Sequence, residues 1–259
     1  MRFLMLPLVL MSTIIQSDEW SPPKNPDPSK ILTEARADAR AKDYKTALAK
    51  QVWFHENALK IEPAQAGVRL SFAISHWLEL GEAYPPALKK LKQIRDDSTE
   101  KIITDEDFRS LFADVESIND NLDEQQKTVE TFKSLEETQP EKAKKVYDLA
   151  EKALVLGKEY KICSKYISFE VALSNIVQKY QEGKKWVAES EGHWKSTHSN
   201  YVKRKFTSDS TLMVAILAVN ERMDEAKDFA AAVKTELDDE DFHQDLEESL
   251  KGVVPDPWP

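Results

Sequence analysis

"AKDYKTA", residues 41–47, sets a small residue, a tyrosine three positions on, and a second small residue three further. The pattern returns as Gly81-Glu-Ala-Tyr84-Pro-Pro-Ala87 and as Gly157-Lys-Glu-Tyr160-Lys-Ile-Cys163, and in looser form as Asn220-Glu-Arg-Met223-Asp-Glu-Ala226. The chain has only 7 tyrosines. With Ala or Gly at roughly one position in seven, chance supplies well under one such match. Recurrence of this kind marks stacked copies of one supersecondary unit.

Helical patterns flank each copy. Val68, Leu70, Phe72, Ala73, Ile74, Trp77, Leu78 and Leu80 precede the second. They are apolar on more than one face, as in a helix buried between neighbours. Ala143, Val146, Tyr147, Ala150 and Leu154 precede the third at i, i+3, i+4, i+7 and i+11, and Leu212, Ala215, Ile216 and Val219 precede the fourth. Each copy therefore reads as a turn between two helices. Its small residue lets the helices approach closely, and the Tyr or Met covers the joint. Strand-like alternation is missing, and only 6 of the 259 residues are glycine, which favours helices over glycine-dependent hairpins. The expected fold is all-α, built from repeated helix–turn–helix hairpins.

In "KDYKTALAK…ENALKIEP", "LGEAYPPALKKL", "LGKEYKICSKY" and "NERMDEAKDFAAAV" the chain resembles the tetratricopeptide repeat family. More narrowly, "QVWFHENAL" followed by "GVRLSFAISHWLELGEAYPPAL" is similar to bacterial repeat proteins of this length. The resemblance implies a right-handed superhelix of stacked hairpins that binds protein segments. In that family one small residue opens the second helix, and another followed by Pro closes it; Ala47, Ala58 and Pro63 match these parts. Ala47 and Ala58 stand one turn further apart than the family pattern, which lengthens that helix and places "VWFH" in the added turn.

The spacing of the copies divides the chain. Residues 29–99 hold two hairpins. Residues 100–182 hold a degenerate hairpin, with Thr104 and Asp107 as a capping pair and Pro140 at its end, followed by a clear one. A basic insertion of weak helical periodicity covers 183–206, and residues 207–250 hold the last hairpin and an acidic helix. A Pro-rich tail occupies 251–259. Upstream, Arg2 and the apolar run "FLMLPLVLM" lead to Ser17, the pattern of a secretory signal over 1–17. A Pro-rich leader follows over 18–28. The run is too short to span a bilayer, so the expected location is periplasmic or secreted, with the cytoplasm as the alternative in which the run is an apolar helix docked on the domain.

Net charge is −10, which argues against general nucleic-acid binding. It is unevenly spread. Residues 142–205 hold 14 Lys+Arg against 7 Asp+Glu, a net of +7, whereas residues 206–259 hold 4 against 14, a net of −10. The basic stretch suits an acidic partner or the chain's own tail. The single cysteine, Cys163, excludes an intramolecular disulfide and a four-cysteine zinc site. No HExxH, GxSxG, P-loop or dinucleotide fingerprint occurs. Glu189, Glu191, His193 and His198 match no metal-ligand spacing, and residues 238–248 lack the rhythm of a calcium loop. Neither a cofactor nor a metal is expected.

The densest candidate region is 47–91. Trp53 and Asn57 share a helix face at i, i+4, and Arg69, His76 and Trp77 follow on the next helix. Two readings stand. Trp53, Phe54, Phe72 and Trp77 are core, with His55 and Arg69 as hydrogen-bonded fillers; or Trp53, His55, Glu56, Arg69 and Trp77 line a groove for a protein segment, since Arg with aromatics makes interface anchors. The groove gives a non-catalytic scaffold or adaptor. The alternative function is an enzyme or small-ligand receptor with a pocket around His55, Glu56 and Arg69. If residues 1–17 are a signal, N-terminal sequencing of the protein from its own cells will begin near Asp18; an intact Met1 would defeat export.

Overall fold

The computed structural model describes residues 20–257. The apolar run, the expected cut after Ser17 and the first two residues of the leader lie outside the described residues. Among those described, regular structure is entirely helical. The chain forms two compact units, Met1–Leu91 and Lys92–Pro259.

In the first unit, α1 (Pro28–Arg40) packs on α2 (Tyr44–Ile61). Asp27 starts α1 by accepting from Lys30 N at 3.0 Å, and Pro28 occupies the first helical position, where no amide hydrogen is needed. A 3₁₀ turn (Pro63–Gln65), the short α3 (Ala66–Arg69) and α4 (Phe72–Ala83) follow, and α5 (Pro85–Lys101) begins after Tyr84. Phe54, Ala58, Ile74 and Trp77 are buried among these helices. The buried Lys50 ammonium ties α2 to α1 through Glu34 at 3.1 Å and Asp38 at 2.8 Å.

The continuous helix expected over Val68–Leu80 is interrupted. Ser71 Oγ donates to Gly67 O at 2.7 Å, and the backbone at Ser71 leaves the helical region (φ −130°, ψ −92°). A serine that bonds back to its own turn competes with the helix ladder. The break puts Phe72 outside, 67% exposed, while Ala73, Ile74, Trp77 and Leu80 turn inward.

The second unit holds α6 (Phe108–Asn121), α7 (Gln125–Thr138), α8 (Pro140–Leu156), α9 (Tyr160–Tyr166), α10 (Phe169–Glu189), α11 (Trp194–Val219), α12 (Met223–Glu236) and α13 (Glu240–Leu250). Both α6 and α7 pack on α8, and both α12 and α13 pack on α11. One core joins Phe112, Phe132, Val146, Leu154, Val214, Phe229 and Leu246. The expected Thr104 cap is not made: Thr104 Oγ1 bonds Lys101 O, and α6 starts after Asp107 without a side-chain cap. The acidic helix is not simply solvated, because α13 buries Phe242 and Leu246. Residues 183–206 complete α10 and begin α11, so they are helical on both sides of a four-residue turn.

Three of the recurring motifs share one turn. Lys42, Lys158 and Glu221 are left-handed (φ 67°, 59° and 62°). After each, two amides reach back to the preceding helix, as in Asp43 N to Asp38 O at 2.9 Å and Lys42 N to Ala39 O at 3.1 Å. This is the 6→1 and 5→2 pairing that closes a helix end. A fourth copy carries no tyrosine or small residue: Asp123 is left-handed (φ 55°), and Glu124 N reaches Asn119 O at 2.8 Å. Three residues into each following helix lies a buried joint, at Ala47, Thr128, Cys163 and Ala226, none more than 1% exposed. The Tyr84 motif differs. Its Gly81 is inside α4, and Tyr84 alone links α4 to α5, its backbone (φ −139°, ψ 88°) outside the helical region that a following proline disfavours. Gly81 is small for contact, not conformation: a Cβ there would come within 2.9 Å of Leu88 Cβ.

None of the four left-handed turn residues is glycine. A side-chain-bearing residue there costs about 1–2 kcal/mol, partly offset by the 0.5–1 kcal/mol of chain entropy that glycine forfeits. Lys158→Gly is therefore expected to stabilise the chain by about 0.5–1 kcal/mol in denaturant unfolding. A lower midpoint would contradict this account of the turn.

Candidate functional site

The region singled out in the sequence separates into an interior and a surface. Trp77 is 1% exposed, and its indole N–H donates to Ala87 O at 2.9 Å. Its ring is core, fixed between α4 and the start of α5. His55 is buried and meets Trp77 edge-on, with ring centroids 6.1 Å apart. Arg69 spans from α3 to α2: Nε donates to His55 O at 2.8 Å, and Nη2 lies 3.1 Å from His55 Nε2. The structure thus brings His55, Arg69 and Trp77 together as a packed, hydrogen-bonded joint. Glu56 stands apart on the exposed face of α2. Trp53 is half-buried beneath the leader, with Trp20 packed edge-on at 6.3 Å and Lys50 5.8 Å from the Trp20 ring. A segment of this same chain covers the aromatic that the sequence offered to a partner.

The first unit opens elsewhere. A cavity of about 220 Å³ lies between α1, α2 and α4. Arg36 and Arg40, one turn apart on α1, supply two guanidinium groups; Glu79 on α4 supplies one carboxylate. Tyr44, stacked on Tyr84 with centroids 5.8 Å apart, forms part of the wall. Gln51 also lines the cavity and is only 2% exposed, yet its Oε1 has no hydrogen-bond partner. His76 Nδ1 is likewise buried and unpartnered. Burial, and then the Arg36 charge, hold the His76 imidazole below its ordinary range, so the ring is neutral at pH 7. Buried polar atoms without partners each cost about 1–3 kcal/mol, so the wall of this cavity carries two uncompensated polar groups.

Arg36, Arg40 and Gln51 were not among the expected site residues, and His76 entered only as a neighbour of Trp77. They reach one cavity from three helices. The available hint was the i, i+4 spacing of Arg36 and Arg40, which puts two cations on one face of α1.

Two groups in the second unit show how their surroundings shift a titration. Burial pushes the Cys163 thiol up to about 12. Lys127, Lys92 and Arg95 surround Glu124 beside the α6–α7 turn and, against the opposing effect of burial, hold its carboxyl down to about 2. Of the four residues considered for a metal, His198 stacks on Trp186 and lies 2.7 Å from Ser190 Oγ. Among the described residues no grouping of three His, Cys, Asp or Glu is placed to hold a metal ion. Comparison of the chain with family models, with curated proteins and with solved structures gives no match.

The His55 joint has a pH signature. Burial, reinforced by the Arg69 charge, pushes its imidazole from 6.5 down to about 3. The unfolded chain therefore binds the extra proton between these values, and the folded chain does not. This contribution to stability is complete above about pH 6.5 and is lost as pH falls toward 3, with about 2 kcal/mol gone by pH 5. His55→Gln should flatten that part of the profile in urea titrations at pH 7 and pH 5. An equal acid loss in the variant would remove His55 as the cause.

Proposed function

We propose that this chain is a non-catalytic scaffold of the tetratricopeptide type, acting outside the cytoplasm. Its hairpins stack in a right-handed array, and it takes an acidic protein segment into the cavity between α1, α2 and α4. The observation that carries the reading is the cavity's composition: the two guanidinium groups of Arg36 and Arg40 face the single carboxylate of Glu79. A carboxylate answers the two guanidinium groups, and paired N–H···O⁻ bonds of that kind are among the stronger polar contacts available. A polypeptide segment supplies such a carboxylate from an Asp or Glu side chain or from its C-terminus.

Size separates this from the small-ligand alternative. Pockets that enclose a whole small molecule run to about 300–1,000 Å³. At about 220 Å³, this cavity suits one side chain or a chain end, with the rest of the segment lying across α1 and α4. Nor does the joint of His55, Arg69 and Trp77 favour an active site. Its nearby donors are spent on holding α2, α3 and α5 in place. A segment laid along α2 would meet Glu56 and the covered Trp53, and not the Trp77 ring.

The test uses fluorescence anisotropy with two labelled acidic peptides, one ending in a free carboxylate and one amidated, and with a neutral peptide of equal length. The acidic peptides should bind and the neutral one should not. Arg36→Ala with Arg40→Ala should weaken binding by about 10- to 100-fold at unchanged thermal stability, because both side chains are exposed. Equal affinity of the variant for the acidic peptides would overturn the assignment. Succinate competing as well as the peptide would move the reading to a small-ligand receptor.

A further inference from the structure

The α10–α11 hairpin ends in a tip unlike the rest of the second unit. Gly183 lets the two helices close on each other: a Cβ there would come within 2.7 Å of Val202 Cγ1. Aromatic contacts flank that point: on the body side Tyr180 stacks on Phe206 with centroids 4.1 Å apart, and toward the tip Trp186 stacks on His198 at 3.7 Å. These contacts fix the shape of the tip yet leave large apolar surface outside. Trp186 is 44% exposed, Tyr201 51% and Trp194 57%. Although the two helices pack on each other, α10 buries no residue fully along its whole length. Lysines border the aromatics. Lys184, Lys185 and Lys195 are all exposed, and residues 179–205 hold 7 Lys+Arg against 3 Glu in a chain of net charge −10.

We propose that this tip docks peripherally on an anionic phospholipid surface, with Trp186, Trp194 and Tyr201 at headgroup depth and Lys184, Lys185 and Lys195 against the lipid phosphates. Tryptophan and tyrosine, apolar in body and polar at one edge, settle at the boundary between headgroup and acyl chain. The choice of cation separates a lipid surface from a protein one. Protein interfaces enrich arginine and deplete lysine, and six of the seven cations in residues 179–205 are lysines, Arg204 being the exception; lysines serve diffuse phosphate charge as point charges. An apolar cavity of about 210 Å³ lies between the two helices, walled in part by Tyr180, Trp186, Tyr201 and Phe206; Trp194, Lys184, Lys185 and Lys195 lie outside it, where a broad charged plane can meet them together. Docking here requires no spanning helix, and among the described residues no helix is long and apolar enough to cross a membrane. This surface is independent of the cavity in the first unit.

Vesicle flotation of the full chain tests it, with phosphatidylcholine alone and with phosphatidylcholine mixed with phosphatidylserine. The apolar run at residues 3–11 is present in every sample, so differences between variants are what count. The intact chain should float preferentially with the phosphatidylserine vesicles and lose that preference in high salt. Each lysine near the surface contributes about fivefold to partitioning, so Lys184→Gln, Lys185→Gln and Lys195→Gln together should lower it by about a hundredfold. Trp194→Ala, which removes only the outer ring over His198 (centroids 6.2 Å) and spares the closer Trp186 ring, should lower it by several-fold with an unchanged melting curve. Equal flotation of the intact chain and both variants would overturn the proposal. So would binding to polyglutamate with none to phosphatidylserine vesicles, which would assign the tip to an acidic protein.

Discussion

A three-residue reversal with its second residue left-handed sets the geometry of this chain. It forces the following helix back alongside the one before, and it brings the residue three positions into that helix against its neighbour. Only a compact side chain is tolerated at that contact, so Ala47, Thr128, Cys163 and Ala226 are each fully enclosed. The reversal is held by two backbone bonds and not by side-chain identity. That is why Leu122-Asp123-Glu124 forms the same turn as Ala41-Lys42-Asp43 with an unrelated sequence. The conformational cost at Lys42, Asp123, Lys158 and Glu221 must be repaid by packing of the flanking helices. Each turn therefore depends on the hairpin it creates.

Helical class and three of the four reversals were legible because they rest on local chemistry: apolar spacing near 3.6 residues, and small residues at fixed offsets from Tyr44, Tyr160 and Met223. The turn at Asp123 escaped that test because its equivalent positions are Leu122, Gln125 and Thr128. Thr128 is compact enough for the joint but is not recognisable as a small residue of the Ala or Gly kind. Its hydroxyl accepts from Asn119 Nδ2 at 3.1 Å, so a polar residue is buried there with its bond made. The break at Ser71 was hidden by a neighbouring apolar run that reads as continuous helix. Residues 183–206 read as irregular because their stripe is made of half-buried aromatics and lysine stems, which periodicity in aliphatic residues does not register.

The candidate site was less legible, for a reason of distance. Arg69 and Trp77 were read as sharing the helix after His55, whereas the break at Ser71 puts them on α3 and α4; nor can sequence tell an aromatic that faces a groove from one that fills a core. Trp77 and Trp53 illustrate the two ways of being covered, the first by its own hairpin and the second by Trp20 from the leader. Arg36, Gln51 and His76 converge from three helices, and nothing local announces that Gln51 will be enclosed with its oxygen unmatched. Such atoms are visible only once the cavity around them is.

The lone thiol has a use of its own. Cys163 sits at the joint opening α9, wholly enclosed, and its high pKa leaves almost no thiolate at neutral pH. In the folded chain it is thus silent toward alkylating reagents and toward disulfide exchange. It speaks only when the packing of α9 on α8 and α11 opens. The rate at which a thiol reagent consumes it, with no label added, is a built-in clock for the opening of that one joint, and a reactive cysteine introduced anywhere on the surface would have no native competitor.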